Sequence, residues 1–179
     1  GDVNQFNIEC TAGSAKGDNY LGVVYRIQVK CKVDGSLKLS LILKSAPQNT
    51  ARRDQFYVHE IYEREFAFYS DVIPFYKKFQ EEKGIDVEKE GFHHTALSYG
   101  IINEEPFEGI FLEDLTVKSF EMFDRKKEIT REHVLLTMEV LAKMHAISFA
   151  IKDQKPEFLE KYKPMEDLLI KLCEDPDSS

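Results

Sequence analysis

The sequence predicts an α+β fold, and three observations carry that prediction. Residues 25–43 alternate apolar and polar side chains on both sides of an Asp-Gly-Ser turn, the period of two that marks paired strands. Residues 54–72 and 131–151 instead repeat apolar residues at helical spacing. Between those two helical stretches, two short strand-like runs return. The order is therefore β-β-β-α-β-β followed by helix alone, a sheet with one main helix joined to a helical second part.

The elements follow in chain order. "FNIEC" is a plausible first strand, and the glycine-rich "AGSAKGDNYLG" of residues 12–22 separates it from the next. In "YRIQVKCKV", Tyr25, Ile27, Val29, Cys31 and Val33 point one way and Arg26, Gln28, Lys30 and Lys32 the other. Asp34-Gly35 is expected to form a type I′ hairpin turn, because that pair supplies positive φ angles cheaply. "LKLSLILK" returns as the partner strand, with Leu37, Leu39, Leu41 and Leu43 on one face. The helix from about Asp54 to Val72 is expected to close at Pro74. After a polar link with Gly84 and Gly91 as breakers, "TALSYGII" and "PFEGIFLEDL" read as two strands turning at Asn103 to Pro106. Thr130 N-caps a long helix from Arg131 to about Ile151, with Ile129 and Val134 placed for a hydrophobic staple. One or two helical segments broken at Pro164 complete the chain, and the seam between sheet and helical part falls near "FLEDL".

Composition narrows the function classes. The chain has 179 residues, 42% of them hydrophobic, which is enough to bury a core. A net charge of −8 argues against a nucleic-acid surface but leaves room for a nucleotide held by one local lysine. Three cysteines without C-x-x-C spacing suggest reduced thiols and a cytoplasmic setting. No apolar run is expected to span a membrane, and no signal-peptide pattern opens the chain. The Gly-Asp start and the polar "EDPDSS" end look like those of a piece of a longer product.

Two charged residues break their own patterns. Lys44 shares a strand face with Lys38, Ser40 and Ile42, and Ile42 implies that this face becomes covered toward the strand's end. A lysine entering a covered site needs an anionic partner; an exposed lysine at a strand end is the plainer reading. Glu65 falls with Ile61, Phe68 and Val72 at i, i+4, i+7 and i+11, a stripe otherwise apolar; a boundary glutamate paired along its helix is the plainer reading. Together the two could meet across a sheet–helix interface, the phosphate-positioning pair of kinase N-lobes. His93 and His94, adjacent and expected to point apart, lack a third metal ligand. His145 reads as a core histidine on the long helix beside Leu141, Ser148 and Phe149. Glu113 and Asp114 point to opposite faces of a strand end, which suits a linker better than a metal site.

Five motifs in order, "GDNYLGVVYRI", "LILKSAP", "YEREFAFYSDVIPF", "FLEDL" and "LAKMHAISFAIK", resemble the ecdysteroid-kinase-like family, relatives of choline kinases and aminoglycoside phosphotransferases. The resemblance implies a protein-kinase-like fold, with residues 1–110 as N-lobe, 111–115 as hinge and 116–179 as an incomplete helical C-lobe. It makes Gly17, Asp18, Asn19 and Tyr20 a phosphate loop, Lys44 the lysine for the ATP phosphates and Glu65 its helix partner, with Ile42 beside them. Phe111 to Leu115, including Glu113, Asp114 and Leu115, would offer backbone to the adenine edge. ATP and magnesium are the implied cofactors and a hydroxylated small molecule, such as an ecdysteroid, the implied acceptor. The family's His-Gly-Asp type catalytic loop is missing: none of the five histidines is followed two residues later by aspartate. The chain alone is therefore expected to be inactive, with no catalytic residue and no metal ligand assigned in it. A non-catalytic nucleotide-binding module acting through partners is the alternative.

Overall fold

In the computed structural model the described residues are 3–13, 22–124 and 126–174. Five strands form one antiparallel sheet in the order β1-β2-β3-β5-β4. They are β1 (Phe6–Ala12), β2 (Val23–Cys31), β3 (Leu37–Ser45), β4 (Ser98–Ile102) and β5 (Gly109–Glu113). The helices are α1 (Thr50–Gln55), α2 (Val58–Ala67), α3 (Ile73–Glu82), α4 (Arg131–Gln154), α5 (Pro156–Glu160) and α6 (Leu168–Glu174). The class is α+β, as expected, with the strand and helix complement of a kinase-like N-lobe.

The chain forms two compact units, one of Gly1–Tyr69 with Ala96–Glu121 and one of Ser70–Thr95 with Met122–Ser179. The first holds the sheet, α1 and α2. Its core joins Ala46, Val58, Tyr62, Phe66 and Ile110, with Ile101 and Leu112 packed against them. Val58, Tyr62 and Phe66 are four residues apart, so α2 lays one stripe on the sheet. Ile110 pairs with Lys44 and Leu112 with Ile42, so α2 covers the sheet face that carries Lys44. The opposite face carries the leucines, and there Leu37 and Leu39 stay 44% and 36% exposed.

The second unit centres on Tyr76, Phe79, Phe92, Ile147, Ile151 and Phe158. Phe75 stacks on Phe158 with centroids 3.7 Å apart. Gln80, 1% exposed, clamps the Phe92 backbone: its Oε1 accepts the Phe92 N–H at 2.7 Å and its Nε2 donates to the Phe92 carbonyl at 3.2 Å. Asp71 accepts from both Lys161 and Tyr162.

Several local expectations need correction. The hairpin does not use a two-residue type I′ turn, since Asp34 has no positive φ and only Gly35 does, at 68°. Residues 32–35 form a longer loop in which the Gly35 N–H donates to the Cys31 carbonyl, and the Asp34 carboxylate accepts from the N–H and hydroxyl of Ser36. That side-chain bonding replaces the positive φ the tighter turn would demand. The 54–72 stretch is not one helix: it takes in the end of α1, breaks at Tyr57, whose φ and ψ are both 49°, and runs through α2 into a π-helical turn over Phe68–Val72. Pro74 closes nothing: it lies in the first turn of α3, directly after the π-helical turn Phe68–Val72.

Thr130 caps α4 by accepting the His133 N–H, but Ile129 and Val134 stay 69% and 49% exposed. His145 is exposed, not core, because α4 buries the face of Ile147 and Ile151, with Val140 and Met144 packed alongside. By length and composition α4 could also cross a membrane, contrary to the sequence expectation. It is 24 residues long, its apolar window has a mean hydropathy of 1.6, and 11% of that window is buried.

Candidate nucleotide site

Strand alternation on β3 sets Ser40, Ile42 and Lys44 on the face beneath α2. On α2, Glu65 lies one residue before buried Phe66, at the edge of the stripe that packs on the sheet and not inside an apolar stripe with Ile61 and Phe68. The two meet: Lys44 Nζ is 2.6 Å from Glu65 Oε2. Lys44 is 40% exposed and Glu65 20%, so the pair opens to solvent while its carboxylate is largely enclosed. The ammonium has three N–H donors and Glu65 takes one, which leaves the lysine able to grip a further anion. It also lies 5.9 Å from the Tyr62 ring centroid, a favourable station for a cation.

Gly22 enters β2 against this corner. A Cβ there would stand 2.5 Å from the Ser45 carbonyl oxygen and 2.9 Å from Tyr62 Oη, so only glycine lets the chain pass. The candidate phosphate-loop residues Gly17, Asp18, Asn19 and Tyr20 lie outside the described residues.

The end of β5 is pinned by a buried carboxylate. Asp114 is 2% exposed; its Oδ2 accepts from Arg26 Nε at 2.9 Å and Ser40 Oγ at 2.7 Å. Its Oδ1 accepts from the Thr116 N–H at 3.2 Å and the Thr116 hydroxyl at 2.7 Å. Burial pushes its pKa up, but the bonds from Thr116 and Ser40 and the Arg26 charge outweigh that and hold the carboxyl below its usual range. This node ties β2, β3 and the 3₁₀ turn Leu115–Lys118 together. The sequence signal for it was Arg26 and Ser40 on the face that α2 covers.

Glu113 points the other way and pairs with Lys118 at 2.5 Å, which lowers its pKa. Its N–H donates to the Leu97 carbonyl, and the carbonyls of Asp114 and Leu115 accept from Val117 and Phe120. Those groups of the expected hinge are engaged within the chain.

A second cluster escaped the sequence reading. Glu108 is wholly buried; its Oε1 takes Arg53 Nη2 at 2.5 Å and faces His59 Nδ1 at 3.1 Å. His59 Nδ1 also faces Glu105 at 3.2 Å. His59, Glu105 and Glu108 could by spacing hold a metal ion, their ligand atoms lying within 4.8 Å of one another. Arg53 already supplies the positive charge, so the arrangement is an ion-pair network. It flanks a cavity of about 670 Å³ lined by Gln48, Arg53, Asp54, Tyr57, His59 and Glu105 among others; neither Lys44 nor Glu65 lines it. Elsewhere, His93 and His94 do not point apart: their rings stack 4.3 Å apart, and His93 Nδ1 bonds the Val87 carbonyl at 2.8 Å.

An antiparallel five-stranded sheet whose third-strand lysine pairs with a glutamate of the helix packed on it defines a kinase-like N-lobe. The model of the Ecdysteroid kinase-like family matches residues 16–171, and the chain belongs to that family. Searches of curated proteins and of solved structures returned no match. Membership makes this a chain of a kinase-like phosphotransferase family.

Proposed function

We propose that this chain is the nucleotide-holding part of an ATP-dependent small-molecule kinase. Such an enzyme transfers the γ-phosphoryl group of ATP to an alcohol hydroxyl, and the family suggests an ecdysteroid or another hydroxylated small molecule. The observation that supports this most is the 2.6 Å Lys44–Glu65 pair. In this reading Glu65 holds the ammonium in place, Lys44 holds the ATP phosphates, and Gly17 to Tyr20 are the family's phosphate-loop positions. Residues 111–115 present their remaining backbone groups to the adenine edge. Magnesium would arrive on the phosphates, and no ligand for it is assigned in this chain. With three free cysteines and no disulfide, a cytoplasmic location suits this function.

Thermal melting with Mg-ATP tests the reading. Nucleotide at a hundred times its dissociation constant should add about 2.7 kcal/mol of stability. Lys44→Ala removes a hydrogen bond to a charged group and should weaken binding by about tenfold to a hundredfold. An unchanged melting temperature at millimolar Mg-ATP would sink the proposal.

In a second reading, a nucleotide-binding module without catalysis, the Lys44–Glu65 pair holds the nucleotide for partners and not for transfer. Mg-ATP stabilisation without phosphoryl transfer to any hydroxylated acceptor would favour it.

A further inference from the structure

His59 stands in the first turn of α2, a position that works against a positive charge because the helix N-terminus is itself positive. Its surroundings reverse that. Glu63 of its own helix faces Nε2 at 3.5 Å, while Glu105 and Glu108 of the β4–β5 connection face Nδ1 at 3.2 and 3.1 Å. The opposing charge is Arg53 of α1, engaged with Glu108 at 2.5 Å and 3.7 Å from Glu105. Asp54 and Glu60 line the adjoining cavity.

We propose that His59 is a positioning residue for the Lys44–Glu65 site, its protonated ring tying α2 to the β4–β5 connection by a charged bond and its neutral ring keeping only a weaker, uncharged one. The proposal rests on the nucleotide reading given above, because Glu65 reaches Lys44 only from α2. With both nitrogens protonated, the ring donates from Nδ1 to Glu108 and presents Nε2–H to Glu63. When the proton leaves Nε2, the Nδ1 bond to Glu108 remains without the ring's charge, and the contact with Glu63 inside α2 is lost. Burial alone would lower the His59 pKa, but the bond to Glu108 and the charges of Glu105 and Glu63 raise it above the ordinary 6.5. The charged part of the hold is therefore complete below that value and is lost as pH rises through the folded pKa.

Three measurements on the full chain decide it. NMR titration should place His59 above its ordinary pKa, and Glu105→Gln, at an exposed residue, should bring it down. A value at or below the ordinary one overturns the proposal. The ratio of Mg-ATP affinities between the wild type and His59→Gln, which cancels the titration of the nucleotide itself, should fall about threefold from about pH 5.5 to about pH 8.5. A ratio that does not change with pH overturns the coupling to Glu65. Without nucleotide, the melting difference between the same two proteins should shrink over that range. If Mg-ATP binds at no pH, the nucleotide reading fails, and this melting difference still decides whether His59 holds α2.

Discussion

Asp114 shows how one residue can carry more structure than its motif suggests. Four donors saturate its two oxygens, two from residues 74 or more positions away and two from the turn it caps. Asp114→Asn would set an amide against Arg26 and Ser40 and leave the guanidinium without its partner. Arg26 is 31% exposed, so water softens the loss, and the expected cost is about 2–3 kcal/mol. Urea unfolding should show it as a lower midpoint with an unchanged slope. Tyr62 predicts the opposite sign. Its hydroxyl is buried with no partner among the described residues, while its ring packs in the core and its pKa is raised by burial. Tyr62→Phe should therefore leave stability unchanged or raise it by about 1 kcal/mol. A loss of that size would show that the hydroxyl is bonded after all.

At the scale of elements, what was legible followed periodicity, and what was missed followed side chains bonding to backbone or to each other. All five strands could be read from alternation and turn residues, as could the capped start of α4. The break at Tyr57 could not, because a tyrosine at positive φ leaves no pattern in the apolar residues around it. Pro74 misled because proline suits a helix start as well as a helix end. In the site, Lys44 was legible because it violates a covered strand face, whereas Glu65 was picked from a stripe that the fold does not bury and meets Lys44 from the edge of the Val58–Tyr62–Phe66 stripe. The Arg53–Glu108–His59 network was not, since Glu108 joins α1 and α2 only through the fold. Gly22 was read as part of a glycine cluster, yet its role lies in close approach. Gly22→Ala should force the Ser45 backbone or Tyr62 to shift, at a cost of about 1–3 kcal/mol. Because Ser45 adjoins Lys44, the substitution should also weaken Mg-ATP binding, measurable in the same melting experiment.

Across the whole molecule, the titrating groups set a window of stability. On the acid side, Asp71 in the second unit and Glu108, Glu113 and Asp114 in the first all have lowered pKa values. For Asp71, burial pushes upward, but the bonds from Lys161 and Tyr162 prevail. A lowered carboxyl contributes stability that is present above its unfolded value, 3.8 for aspartate and 4.5 for glutamate, and is lost as pH falls through the folded one. On the other side, His59 contributes below 6.5 and loses its contribution as pH rises through its raised pKa. Melting temperature should therefore form a plateau from about pH 4.5 to about pH 6.5 and fall on both sides. Asp71→Asn should flatten part of the acid limb and leave the alkaline one, while His59→Gln should flatten the alkaline limb and, because the His59 bond helps hold Glu108 low, also shift the Glu108 part of the acid one. Because Asp71 and His59 belong to different units, calorimetry of these variants also shows whether the units melt together. A single transition would displace both limbs as one, whereas two transitions would assign Asp71 to one peak and His59 to the other.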